Sequence, residues 1–587
     1  MKKGLFLCGL FIIFVLVSPA AAFEPAVVGV HPEIDSKYQA FFPAEVFTVT
    51  DGVYVARGYN RDNPVLIVGD DGLIVVDPGE SIEAGEEVKK AFNAKLDNIF
   101  DKKPVKAVIY THSHDCHING AAAFADENTQ IISHENFMKT LYNEWYGQVF
   151  PSRMEGAVKM LGIMYQEETD YWYRGYILGG KETLGSSGFL PPTMTVKDQL
   201  EIQIAGVDLK LIYAPAETND VIFVWLPGKE VVLEIGILYE SFPAMVTMRG
   251  SSQRNPLDYI SSLKRLRSLN AQYLVALHGP NPITAGEGNV RQYLTDFSDA
   301  IQFVHDQTLQ YMNRGYSPGE MKDLIKLPPN LAASPYLKET YGKIDWNIYH
   351  IFRYYRGYYT DNIRDLFPQS PLSQAQMAAE LAGGVDALAG KAQQALSDKP
   401  EWALELADDV LLLDPGNTSA FETKKSAMLQ LAGTTMNSQA RNMLLSEYLL
   451  FDGQNQKPFP FGKPTAIYST IKDNVVQWMP MDTALRIMSV NINASKALNN
   501  DTAPVLLLTD VSDGQYYYFM YVRNGILEVN PPDLDYCDFA IITDSLTWKN
   551  MVLGKLDPVT AIQDNNVMIS GATNDKFYQF MDLFYCQ

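Results

Sequence analysis

A chain of 587 residues is too long for one ordinary domain, and two to four are expected. Its 47% apolar content is enough to build real hydrophobic cores. The net charge of −22 leaves no basic surface to neutralise phosphates, which excludes nucleic-acid binding.

Residues 1–22 place Lys2 and Lys3 ahead of an apolar run, 5–17, and then Ser-Pro-Ala-Ala-Ala before Phe23. That order is a secretory signal, with an apolar run too short to span a bilayer comfortably, so the mature chain is expected to be periplasmic or secreted. No later segment is long and apolar enough to cross a membrane. With Cys8 removed in the signal, Cys116, Cys537 and Cys586 remain. Cys537 and Cys586 are able to pair in an oxidising compartment. Cys116 would then stand alone beside three histidines, which suits a metal ligand or a reactive thiol.

Short strands are predicted at residues 46–49, 53–56, 65–68 and 73–76, separated by turns at Asp51-Gly52 and Asp70-Asp71-Gly72. Asp77-Pro78-Gly79 closes the series, residues 81–92 read as a helix, and 105–110 as a buried β-branched strand. Strands, then helix, strand and a polar loop indicate a layered α/β domain. Residues 137–166 read as mostly helical. Further strands are predicted at 201–213, 221–226, 231–238 and 273–277. From residue 372 to 431 Ala, Leu, Gln and Glu recur at helical spacing, broken at Asp398-Lys399-Pro400 and Asp414-Pro415-Gly416-Asn417. Such helical arrays are more often interaction or dimer surfaces than catalytic ones. From about Asn437 a separate α+β domain is expected.

Chemistry concentrates after the strand at 105–110, where three histidines and a cysteine fall within six residues. In extended backbone His112 and His114 point the same way and reach one ion, while His117 points elsewhere, so two neighbouring metal positions are expected. Glu217 and His278 also follow predicted strands, where loops on a rigid scaffold carry function. The candidate ligands are therefore His112, His114, Cys116, His117, Glu217 and His278. Zinc with three protein ligands and an open position lowers the pKa of its water to about 7, and hydrolysis is the expected chemistry. His31, His134, His305 and His350 are scattered and read as structural or solvated. The aromatic runs 352–359 and 516–521 read as core in preference to a tunnel lining.

The segment THSHDCH after a strand, downstream of VVDPG, resembles the metallo-β-lactamase superfamily. LGSSGFLPPT, APAETND, YESFPAMVTMRGSSQR, LVALHGPNP and YYRGYYTDN, in that order, resemble the three-domain alkyl sulfatases over nearly the whole mature chain. The resemblance implies an αββα catalytic sandwich (residues 23–365), an all-α helical dimerisation domain (366–436) and a C-terminal α+β sterol-carrier-like domain (437–587). It implies one zinc on His112, His114 and Glu217 and a second on His117 and His278. It makes Asp77 a structural aspartate beside the metals and Arg249 and Arg254 the holders of sulfate, a task for which the guanidinium fork suits a tetrahedral oxyanion. The implied activity is hydrolysis of a sulfate monoester of an apolar alcohol by a metal-held water, in a homodimer.

Three positions depart from the family pattern. Cys116 replaces an aspartate, with Asp115 displaced by one residue and expected to point away from the second metal. A thiolate there favours zinc over harder ions. Gly236 stands where an acidic bridging ligand is expected, with Glu234 two residues earlier on the same strand face. Trp346 stands where relatives carry a histidine, and an indole cannot act as a general acid there. These departures keep two other readings open: a hydrolase of the same fold acting on a phosphoester or lactone, and a degenerate amphiphile-binding protein.

Overall fold

The structure is a computed structural model describing residues 28–163, 185–234, 237–453, 464–511, 514–531 and 536–584. The signal-like residues 1–22, Gly236 and Cys586, and with it the Cys537–Cys586 pairing, lie outside these.

Two sheets face each other in the first domain. One runs in sequence order through β1 (Glu45–Thr50), β2 (Val53–Arg57), β3 (Val65–Val68), β4 (Leu73–Val76), β5 (Val105–Ile109), β6 (Gln130–His134) and β7 (Met194–Val196). Its first four strands pair antiparallel and the rest join in parallel. The second comprises β8 (Gln199–Ile204), β9 (Val207–Tyr213), β10 (Ile222–Leu226), β11 (Val231–Glu234), β12 (Tyr273–Ala276) and β13 (Ile283–Ala285), in the order β13-β12-β11-β10-β9-β8. The apolar run of β3 shows why both faces are covered. Val65 and Ile67 enter the core between the sheets, whereas Leu66 enters the core on the opposite face. Helix Ile82–Lys95, started by Ser81 accepting from Ala84 N, covers that opposite face through Val88 and Phe92. Helices Pro256–Arg267 and Glu287–Met312 cover the second sheet through Tyr259, Leu263, Leu294 and Phe297. The layers are the αββα sandwich expected from the sequence.

One local expectation is borne out in pieces and one is corrected. The described part of 137–166 is mostly helical, as expected, but Phe137–Thr140 passes into a π-helical turn, Leu141–Trp145, before Phe150–Met160. The strand predicted at 231–238 is strand only over Val231–Glu234 among the described residues: Ile237 and Leu238 are not in a strand, and their backbone N–H groups donate to the buried Glu234 carboxylate (3.1 and 3.2 Å).

Four helices, Pro371–Ala382, Val385–Ala395, Pro400–Leu413 and Thr418–Thr434, bury Leu388, Leu406, Val410 and several alanines. Helix Ser438–Gly453 then returns to the first domain, where Asn442 Nδ2 donates to Met160 O (2.8 Å). The C-terminal region is a five-stranded sheet of β14 (Val505–Leu508), β15 (Tyr517–Arg523), β16 (Ile526–Val529), β17 (Ala540–Thr543) and β18 (Val567–Ser570), in the order β16-β15-β14-β17-β18. It shares a core with the first domain and is tied to it by Tyr142 OH donating to Val475 O (2.7 Å) and Tyr468 OH to Gln148 O (2.6 Å). Among the described residues no helix is long and apolar enough to cross a membrane.

Candidate metal centre

Strand β5 ends at Ile109, and the loop that follows is fixed from below by Asp77. Asp77, at φ 51°, accepts from Thr111 N (2.8 Å) and from Thr111 Oγ1 (2.6 Å). A left-handed aspartate is a mildly strained conformation of the kind found at functional sites. Gly120 closes the same loop against the Pro78 carbonyl, where any Cβ would collide with backbone. The Thr111 hydroxyl also lies 3.3 Å from His112 Nδ1. With its proton given to Asp77, that oxygen accepts from Nδ1–H and leaves the His112 Nε2 lone pair facing inward.

The inward atoms form two groups, each with its ligand atoms within 4.8 Å of one another. The first is His112, His114 and Glu217. His112 Nε2 and His114 Nδ1 lie 3.2 and 3.6 Å from the same oxygen, Glu217 Oε1. The second is Cys116, His117 and His278. Rings of the two groups stand close together, His112 to His117 at 4.5 Å and His117 to His278 at 4.9 Å. His117 Nε2 is buried without a hydrogen-bond partner, while His117 Nδ1 and His112 Nε2 face carboxylate oxygens, Asp77 Oδ2 at 2.9 Å and Glu217 Oε1 at 3.2 Å. Buried polar atoms are normally satisfied, so an unpartnered imidazole nitrogen in a cluster of histidines, a thiol and carboxylates fits a divalent metal.

The electrostatics agree with that donor set except at His112, where burial lowers the ring but the Glu217 carboxylate, with Asp220 and Asp77, raises it on balance. Burial holds His114 and His117 well below the usual histidine range and lowers His278 to about 3, keeping these rings neutral, as ligation requires. Burial opposes ionisation of Glu217, but His114, His112 and Arg254 keep its carboxyl well below the usual range. Burial raises the Cys116 thiol well above its ordinary range. A bound cation reverses that preference and draws out the thiolate.

Arginines border the first group. Arg249 Nη2 is 3.3 Å from His114 Nε2, and its guanidinium lies 4.5 Å above the Trp145 ring, which meets the His114 ring edge-on at 5.5 Å. Arg254 is buried, donates to Ala244 O (2.7 Å) and reaches Glu217 Oε2 at 3.4 Å. It is thus a brace on a ligand carboxylate as much as a cation beside the centre. Asp115 pairs with Arg61 (3.0 Å) and takes no part in either ligand group. Glu234 is likewise in neither group, being engaged by its own turn. Trp346 is half-buried on helix Ile344–Arg356.

Several supporting residues carried no sequence signal. The π-helical turn delivers Trp145, Thr111 sets the His112 tautomer, and Gln439, from the helix after the bundle, accepts from Met248 N (3.0 Å) beside Arg249. Gly156 passes so close to Arg249 that a Cβ would sit 2.7 Å from its Cα. His350, one helical turn beyond Trp346, donates to Arg254 O (2.7 Å) and so steadies the arginine loop. The remaining scattered histidines are structural: His31 caps a helix, His134 bonds Lys197 O and His305 bonds Tyr355. In the run 352–359 Phe352 is core but Tyr358 is exposed, and in β15 the burial alternates from Tyr517 to Arg523.

Residues 60–278 match the family model of the metallo-beta-lactamase superfamily, and residues 317–451 match that of alkyl sulfatase dimerisation. A linear primary-alkylsulfatase of Pseudomonas sp. (strain ATCC 19151) is 32% identical over 510 residues, covering 83% of this chain and 94% of the relative. An (R)-specific secondary-alkylsulfatase of Pseudomonas sp. is 25% identical over 579 residues, covering 94% and 83%. The solved structure of a stereoselective inverting sec-alkylsulfatase from Pseudomonas sp. superposes with a TM-score of 0.83 at 22% identity, covering 95% of this chain and 87% of that one.

Proposed function

The chain belongs to the alkylsulfatase family of the metallo-beta-lactamase superfamily, and from that premise we propose that it hydrolyses sulfate monoesters of apolar alcohols to alcohol and sulfate. The observation that carries this reading is the pairing of the His112, His114 and Glu217 group with Arg249 on its rim. Zinc suits the donor set, with one ion held by His112, His114 and Glu217 and a second by Cys116, His117 and His278. When bound, such an ion acts as a Lewis acid and lowers the pKa of water to about 7.

The chain's own residues do the rest. His112, steadied by Thr111 and Asp77, and Glu217, steadied by Arg254, keep the ligand atoms in place. Arg249, stacked on Trp145, turns its fork toward the sulfate oxygens and neutralises charge that grows as the ester bond breaks. Trp346 offers no transferable proton, so that position contributes no general acid.

The remaining features of this reading are the exported location, set by residues 1–22; a homodimer through the helical region (366–436); and a sterol-carrier-like role for residues 437–587 in receiving an apolar tail. The exposed Phe367 (80%) and Leu381 (89%) support a dimer contact at the start of that helical region. The half-exposed Tyr517, Phe519 and Tyr521 on one face of β15 support the last.

Metal-loaded protein offered linear primary alkyl sulfates of graded length is expected to release sulfate. No release at any length would sink the proposal. Running the reaction in ¹⁸O-labelled water assigns the bond broken: label in the alcohol means C–O cleavage, label in the sulfate S–O cleavage. An Arg249→Ala chain that loses sulfate-ester turnover yet hydrolyses a neutral lactone would favour the lactonase reading.

A further inference from the structure

The loop between β2 and β3 carries a carboxylate that the proposed chemistry has not used. Asp62 is fully buried, and neither of its oxygens has a hydrogen-bond partner. Its Oδ2 lies 3.6 Å from His117 Nδ1, beside Asp77 Oδ2 at 2.9 Å from the same nitrogen. The residues around it back the other histidine of that group. His278 Nδ1 donates to Arg61 O (2.9 Å), and the Asn63 side chain donates to Ala276 O (3.2 Å) and Gly279 O (2.9 Å) on either side of His278. Asp62 itself is aimed by its own backbone N–H donating to Asn60 Oδ1 (3.1 Å). Arg61, the guanidinium beside these acids, is engaged by Glu80 and Asp115.

A carboxylate buried without hydrogen bonds is costly unless it keeps its proton or a cation meets it. The cation also needs Asp62. Cys116 is the one ligand of its group that becomes anionic, and a single thiolate leaves a dication half neutralised. We propose that loop 60–63 is the backing of the second metal position, with Asp62 as its supporting carboxylate, facing His117 and supplying the negative charge the ligand set lacks. The assignment rests on the metal centre proposed above for the same site. It adds that the second position is loaded through Cys116 and depends on a residue 54 positions earlier in the chain.

Cobalt(II) titrated into the chelated protein tests it. Wild type is expected to take two equivalents, one of them with a thiolate-to-cobalt absorption in the near ultraviolet that Cys116→Ser abolishes. Asp62→Asn is expected to weaken that equivalent about 10–100-fold and leave the other unchanged. Metal-free Asp62→Asn is expected to melt no lower than metal-free wild type, because a buried carboxyl without hydrogen bonds has been exchanged for an amide of the same shape. Wild type lacking the thiolate absorption would overturn the second metal position itself. Wild type that shows it, with Asp62→Asn binding both equivalents unchanged, would overturn the role of Asp62 alone. Asp62→Asn melting lower, or failing to fold, without metal would reduce Asp62 to an ordinary structural carboxylate.

Discussion

The two ligand groups meet through neighbouring rings yet sit in opposite surroundings. His112, His114 and Glu217 have cations on their flank, Arg249 and Arg254. Cys116, His117 and His278 have carboxyl groups behind them, Asp62, Asp77 and Glu80, with Arg61 between. An ion in the first group therefore faces a surface that attracts an oxyanion. An ion in the second would draw the protons off these carboxyls and gain their charge. On the proposed reading one half serves binding and reaction and the other retention of its ion.

The largest expected effect breaks the first half outright. Glu217→Ala removes a ligand and the partner of Arg254, and should cost that metal equivalent and more than about a hundredfold in sulfate-ester turnover, since even outer-shell changes cost 10–100-fold. Metal analysis with kinetics checks it. Arg249→Ala should leave metal content unchanged and lower kcat/KM by roughly 10- to 150-fold, the worth of a charged hydrogen bond of about 1.5–3 kcal/mol. Arg249→Lys should recover only part, because an ammonium lacks the fork. Thr111→Val keeps the shape but cuts the link from Asp77 to His112. About a tenfold loss of affinity at the first group is expected, with the second untouched; competition against a chelating dye measures it.

The smallest effect on catalysis is expected from Glu234, whose carboxyl belongs to neither group. Burial pushes it up to about 8, so the folded chain binds that proton more tightly than the unfolded chain. Its contribution to stability is full below the ordinary value of 4.5 and is lost as pH rises through about 8. Melting curves of wild type should therefore fall from about pH 6 to about pH 9 by an amount on the order of a few kcal/mol, and Glu234→Gln should flatten them without changing turnover at neutral pH. A Glu234→Gln chain short of one metal equivalent would return Glu234 to the centre and spoil the contrast between the halves.

Much of this was legible in the sequence because its signals are local. The apolar run of β3, the helical stretch from Ser81 and the spacing of His112 and His114 each act over a few residues, and each element forms where that chemistry places it. Glu217 and His278 were readable because both follow strands of the second sheet, whose loops open toward β5. What escaped depends on distant backbone. The π-turn at 141–145 packs against the C-terminal region, with Tyr142 bonded to Val475 O, a neighbour more than three hundred residues away that local sequence does not display. That Asp62 faces His117 depends on the path of a loop whose composition, Asn60-Arg61-Asp62-Asn63-Pro64, reads as an ordinary polar turn. His350 looked incidental because its partner is the main chain of Arg254, which a sequence does not display.

Gln439 carries a consequence for how the molecule is finished. Its side chain accepts from Met248 N beside Arg249 and donates to Tyr341 O (3.0 Å), joining the arginine loop to a helix nearly two hundred residues downstream. The arginine loop is therefore braced from outside the sandwich, and a chain cut before Gln439 would lose that brace while keeping every ligand of both groups.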